Sequence, residues 1–281
     1  MSIPTNIKIV TDSSCDIFEL DGVAFATAPL KIITSEKEFV DDESLDIKEM
    51  VDHLQVHRGR SKTSCPNVGD WLSSFGDAER IFCITITSTL SGSYNAAMIA
   101  KREYEEAHPS RRVFVMDSLS TGPEISLIVY RIRERVLEGW SFDKICEDIF
   151  EYRKRTGLFF ILESMKNLAN NGRVSPLVAK MAGLLGIRLV GKASEVGDLE
   201  PISKCRGEAK ALETVVQQLK LAGFKGGKIL ITHCLNEKAG NALTELIRSE
   251  FSKAQVALEK CRGLCSFYAE KGGLLIGFER A

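Results

Sequence analysis

The sequence predicts an α/β fold in two domains: an N-terminal domain on a largely parallel sheet and a C-terminal α+β domain on a mixed sheet. Three observations carry this. The chain has 281 residues, nearly twice a usual domain of about 150. Over its first half, short apolar strand patterns alternate with helix patterns, the mark of parallel strands joined by crossover helices. Past Arg155-Thr156-Gly157, strand patterns follow one another with fewer helices between. The change of rhythm sets the domains at residues 1–156 and 157–281.

In the first domain, residues 7–10 are a short apolar run closed by Thr11-Asp12-Ser13-Ser14. Residues 23–33 read as one extended segment and 46–57 as a helix. Lys62-Thr63-Ser64-Cys65-Pro66 reads as a loop before a helix at 71–75. Residues 81–86 form an apolar strand, followed by Ser88-Thr89-Leu90-Ser91-Gly92-Ser93 and a helix at 94–106. A strand at 112–116 ends in Asp117-Ser118, and helices follow at 124–138 and 142–154. In the second domain, strands are predicted at 158–162, 187–192, 201–205, 228–234, 255–259 and 274–278. Helices are predicted there at 164–169, 176–185, 207–222 and 237–251.

Charge and composition exclude several classes. Lys plus Arg is 37 against 38 for Asp plus Glu, a net charge of -1. A general nucleic-acid binder carries a basic excess, so none is expected. No apolar run is long enough to cross a membrane. The opening residues lack the charged and apolar regions of a signal peptide. A cytoplasmic protein is expected, whose only membrane association would be a transient surface contact. Its eight cysteines then read as reduced thiols without a Cys-x-x-Cys pair. Cys83 and Cys234 sit within apolar strands and read as buried.

Three polar loops follow strands of the first domain: residues 11–14, 88–93 and 117–118. Ligands of an open parallel sheet bind at the carboxyl ends of its strands, so these loops should converge on one crevice. Ser91-Gly92-Ser93 also opens a helix, whose unpaired N–H groups attract an anion. On the residues alone, a helix cap and an anion site both remain open. No phosphate-binding glycine motif occurs at a strand-to-helix turn. Neutral hydroxyl donors without a lysine suit a carboxylate better than a polyphosphate.

His53 and His57 stand one helical turn apart, yet Asp52-His53-Leu54-Gln55-Val56-His57 lacks the glutamate of His-Glu-x-x-His. Two ligands are too few for a protein metal site. The pair is expected on a solvated face, without metal. His233 ends a strand and is a candidate base without a motif tying it to a nucleophile. Asp41, Asp42 and Glu43 read as a solvated turn.

Taken in order, Lys8-Ile9-Val10-Thr11-Asp12-Ser13-Ser14, the 62–66 and 88–94 segments, Asp117-Ser118 and Asn171-Gly172-Arg173-Val174-Ser175 resemble the DegV family. The resemblance runs from Lys8 to Phe278. It implies a two-domain fold that binds a long-chain fatty acid, with no cofactor beyond that ligand. Family members serve as acyl-binding subunits of bacterial fatty-acid kinase, presenting the carboxylate to a separate ATP-using subunit. By position, Thr63, Ser64, Ser91 and the Gly92 N–H would hold the carboxylate. Ser93, which replaces the family's threonine and keeps its hydroxyl, is a further ligand-binding candidate, and Arg173 would lie near the mouth or the partner surface. Aligned on residues 274–278, Tyr268 falls where the family carries a histidine. A phenol donates a hydrogen bond but carries no positive charge. Candidate tunnel residues are Ile84, Ile86, Ile161, Leu177, Met181 and Leu184. The competing class is an enzyme, a serine-dependent hydrolase or a small-molecule kinase-like protein. The absence of a phosphate loop and of Gly-x-Ser-x-Gly speaks against it.

Overall fold

The computed structural model describes residues 7–179 and 186–280. Its elements run β1 (Ile7–Asp12), a 3-10 turn (Ser13–Cys15), β2 (Ala24–Ala28), β3 (Lys31–Ile33) and β4 (Glu38–Val40). Then come α1 (Ile47–Val56), β5 (Lys62–Ser64), α2 (Val68–Phe75), β6 (Arg80–Thr85), α3 (Ser93–Ala107) and β7 (Arg112–Asp117). Next are α4 (Pro123–Leu137), α5 (Phe142–Arg153), β8 (Thr156–Leu162), α6 (Lys166–Asn170) and α7 (Pro176–Ala179). The chain continues through β9 (Ile187–Ala193), β10 (Leu199–Arg206), α8 (Glu208–Leu221), β11 (Lys228–His233) and α9 (Glu237–Glu250). It closes with β12 (Gln255–Lys260), α10 (Gly263–Ala269) and β13 (Leu274–Glu279).

The first sheet is fully parallel in the order β2-β1-β6-β7. The chain passes from β1 to β2 on one side and later returns to β6 on the other, so the ends of β1 and β6 form the crevice at which such sheets bind ligands. The six-stranded sheet runs β10-β9-β8-β13-β11-β12 and is mixed, with only β11 and β12 parallel. The α/β class and the mixed second sheet agree with the reading of the sequence.

Two parts differ from that reading. The segment 23–33 is not one strand: β2 joins the parallel sheet, while β3 pairs antiparallel with β4 and β5 in a small third sheet. The 62–66 stretch is accordingly half strand, because its register with β3 sets Thr63 opposite Ile32. This sheet packs its apolar side across the molecule. Ile32 and Phe39 of the sheet, with Met50 and Val51 of α1, share a core with Leu158, Phe160, Leu162 and Phe267. Helix α4 makes a second bridge, with Glu124 through Val129 all buried and packing on both β1 and β13.

Helix α10 was not forecast either. Its seven residues are too few to show a helical period. Its first amides are instead satisfied from far away. Asp41 is fully buried and accepts from Gly263 N at 2.7 Å and Leu264 N at 2.8 Å. Asp16 accepts from Arg262 N at 2.8 Å. The expected solvated turn at residues 41–43 is therefore corrected for Asp41. Glu43 is exposed, and half-buried Asp42 keeps the turn role, accepting from Ser44 N and Oγ at 2.9 and 2.6 Å.

Candidate ligand-binding cavity

One cavity of about 290 Å³ lies where the parallel sheet, the small sheet and the mixed sheet meet. That is near the lower end of small-molecule pockets, about 300 Å³ upward. Its apolar wall includes Leu30, Ile86, Leu158, Phe160, Leu162, Leu168, Leu264 and Leu275. Alternation along β8 explains the choice: residues 158, 160 and 162 face the cavity, and the residues between them face away. Ile161 thus belongs to the opposite core, and Ile84 is sealed in the N-terminal core. Leu177 is 77% exposed. Of the six tunnel candidates only Ile86 lines the cavity among the described residues. Met181 and Leu184 lie outside them.

The polar lining consists mainly of Thr63, Ser64, Ser91, Gly92, Arg173 and Tyr268. Strand β5 delivers Thr63 and Ser64, and the N-terminus of α3 delivers Ser91 and Gly92. Thr63 Oγ1 and Tyr268 OH are 2.7 Å apart, so β5 and α10 meet through a hydroxyl pair. Arg173 donates through Nε to Leu90 O at 3.0 Å and through a terminal nitrogen to Asn171 O. Burial pushes the Tyr268 phenol above its ordinary pKa, while the Thr63 hydrogen bond and the Arg173 charge draw it back. It is neutral at pH 7 and able to donate. Ser64 and Gly92 are exposed, so this end of the cavity meets solvent. A Cβ on Gly92 would lie 3.3 Å from Cys65 Sγ, tighter than ordinary contact. Glycine there lets β5 and the start of α3 approach.

Ser93 is the predicted site residue that the structure places elsewhere. It is fully buried, and its hydroxyl donates to Asp12 Oδ2 at 2.5 Å. Asp12 also accepts from Ile86 N at 3.0 Å and from Ser14 N and Oγ at 3.3 and 2.5 Å. Burial raises the Asp12 pKa, and these donors hold it down. Residues 11–14 are buried and support the crevice without lining it. Asp117 supports the other end of the 88–93 loop, accepting from Ser88 N at 3.2 Å.

His233 does not reach the cavity. Its Nδ1 accepts from Asn236 N at 3.1 Å, and burial lowers its pKa. The histidine pair at the end of α1 also departs from expectation. The His57 side chain is 3% exposed rather than solvated. The sequence reading missed Thr121, Cys265 and Ala269, which also line the cavity. Nothing local marks them, since they arrive from the start of α4 and from α10.

Among the described residues, fold and cavity define an α/β protein whose three sheets surround an apolar cavity with a hydroxyl-rich, solvent-facing end. The chain belongs to the DegV family: a family profile described as "Uncharacterised protein, DegV family" matches residues 6–280. A DegV domain-containing protein of Streptococcus pneumoniae R6 is 44% identical over 276 residues, 97% of this chain and 98% of that one. A crystallised DegV family protein from Eubacterium eligens, loaded with heptadecanoic acid, is 44% identical with a TM-score of 0.96. It covers 98% of this chain and 100% of its own. The Streptococcus pneumoniae Fatty Acid Kinase (Fak) B3 protein, loaded with linoleic acid, is 42% identical with a TM-score of 0.96 at the same coverage.

Proposed function

We propose that this protein binds a long-chain fatty acid, with the acyl chain in the cavity and the carboxylate at its hydroxyl-rich end. The observation that carries the reading is the segregation of the lining. Leucines, Ile86 and Phe160 form the wall, while Thr63 meets Tyr268, Gly92 sits against Cys65 next to Ser64 and Arg173 holds Leu90 O next to Ser91. About 14 buried methylenes at about 0.8 kcal/mol each contribute roughly 11 kcal/mol gross. Charge-assisted hydrogen bonds of about 1.5–3 kcal/mol each offset desolvation of the carboxylate. The fatty acids carried by the Eubacterium eligens and pneumococcal proteins support the same reading.

Thr63, Ser64, Ser91, the Gly92 N–H and Tyr268 hold the carboxylate in this proposal, and Arg173 supplies positive charge beside it. Residues 1–156 and 157–281 act as two domains across the cavity. The first supplies most of the head-group loops; the second supplies β8, Arg173 and α10. The protein has no chemistry of its own and presents the exposed carboxylate to a separate ATP-using kinase subunit. The kinship with the Fak B3 protein supports this role. A serine hydrolase reading has no support, because no histidine lines the cavity among the described residues.

Lipid mass spectrometry of the purified chain tests the binding, with a co-purified fatty acid expected. Ser91→Ala, removing one hydrogen bond to a charged group, should cost about 1.5–3 kcal/mol, roughly 10- to 150-fold in Kd. Wild-type affinity in a folded Ser91→Ala protein removes Ser91 from the site. Turnover of ATP or of an ester by the lone chain overturns the non-catalytic role.

A further inference from the structure

Away from the cavity, the turn between β3 and β4 meets the C-terminal end of α1. There Glu36, His53 and His57 bring three ligand atoms within 4.8 Å of one another. His53 and His57 share one face of the helix end, their rings stacked at 5.5 Å and 17°. Glu36 reaches them from the turn, which Thr34 shapes by accepting from Lys37 N at 2.9 Å and donating to Lys37 O at 3.0 Å.

His57 is the informative member. Its side chain is 3% exposed, and neither ring nitrogen makes a hydrogen bond to any described residue. A buried imidazole without a partner forfeits hydration at both nitrogens. Its Nδ1 faces Glu36 Oε1 at 3.3 Å, outside hydrogen-bond geometry. Two nitrogen or oxygen ligands on one tetrahedral zinc ion lie about 3.3–3.4 Å apart, as bond lengths of 2.0–2.1 Å require. The pair is thus already spaced for a shared ion. The loop after α1 is built close over the ring: a Cβ on Gly59 would fall 2.6 Å from His57 Nε2. Thr34 Oγ1 lies 3.3 Å from His53 Nε2 and can orient that ring, as an outer partner does for a metal-bound histidine.

We propose that Glu36, His53 and His57 form a binding site for a divalent transition-metal ion of the zinc class, with water completing the coordination. Two imidazoles and one carboxylate with an open position are a donor set that zinc accepts. The exposed Glu36 leaves the ion a path from solvent. The two-ligand count from sequence is thereby revised, because the third ligand comes from a turn seventeen residues before His53. Bound there, an ion would fasten the β3–β4 turn to the end of α1. The segment that leaves His57 runs directly into β5, which carries Thr63 and Ser64. The site is therefore placed to stiffen one wall of the cavity without touching its ligand.

The test uses the untagged full chain, stripped with chelator and dialysed against zinc alone. Elemental analysis should find one zinc per chain at saturation. Glu36→Gln and His53→Gln should each weaken zinc binding by about tenfold or more, since losing even an outer partner of a metal ligand costs about 10–100-fold. Both alter side chains that are not fully buried, so the fold should survive, as circular dichroism checks. Cobalt in place of zinc should give the visible absorption of a four-coordinate nitrogen and oxygen site. No saturable uptake, uptake unchanged in both variants, or a sulfur charge-transfer band in the cobalt spectrum overturns the proposal.

Discussion

Two serines in one loop carry different loads. Ser91 lines the cavity, whereas Ser93 serves Asp12. Ser93→Ala should therefore lower unfolding stability by about 1–3 kcal/mol, the cost of leaving a buried acceptor without its donor, and leave fatty-acid affinity nearly unchanged. Denaturant unfolding beside a binding titration checks this; equal stability with weaker binding reverses the assignment. In sequence the two hydroxyls look alike, and only burial separates them. Tyr268 was legible for another reason, its position before the 274–278 strand in a family alignment. Its hydroxyl contacts Thr63 at 2.7 Å, so it can act on the carboxylate directly or through that threonine. Tyr268→Phe should weaken binding of a free fatty acid more than of its methyl ester. Equal losses, or none, place the phenol outside head-group recognition.

At the scale of elements, the long strands and helices were legible because each shows its own apolar period. The small sheet and α10 were not, because three-residue strands and a seven-residue helix have no period to show. Their stability comes from contacts such as Asp41 with Gly263 and Leu264, more than two hundred residues apart in sequence. The same contacts predict a pH dependence. Burial pushes the Asp16 carboxyl up to about 7, and the neighbouring Asp41 adds to the shift. Burial likewise pushes Asp41 up to about 6. An unfolded aspartate titrates near 3.9. Between about pH 4 and pH 7 the folded state therefore holds protons that the unfolded state has lost, so these groups make stability fall as pH rises. Above pH 7 their contribution is flat. Asp16→Asn removes the titration while keeping a carbonyl acceptor for Arg262 N. Asparagine also tolerates the left-handed backbone at this position, where φ is 60°. Unfolding free energies at pH 4.5 and 7.5 should converge in Asp16→Asn relative to wild type. An unchanged difference assigns the pH dependence to other groups.

At the scale of the molecule, the cavity draws its walls from the small and mixed sheets and from the loops that leave the parallel one, which explains why sequence named most of its polar end and little of its apolar wall. Polar residues at strand ends announce themselves by chemistry. An apolar residue lining a cavity is the same in sequence as one packed in a core, as Ile86 and Ile84 show. A ligand held between elements from both halves binds the folded chain and not the unfolded one, so loading must raise stability. At a free concentration of 100 times Kd the gain is about 2.7 kcal/mol. Each kcal/mol moves Tm by roughly 2–4 °C in a chain approaching this size, so delipidated protein should gain about 5–10 °C on loading with a sixteen-carbon acid. Octanoate has the same carboxylate and eight fewer methylenes, a deficit of roughly 6 kcal/mol at about 0.8 kcal/mol each. At the same free concentration it should leave Tm unchanged. Differential scanning calorimetry of delipidated protein with each acid separates the contributions. Equal shifts from both acids mean that the head group alone is bound and the cavity is not the acyl site.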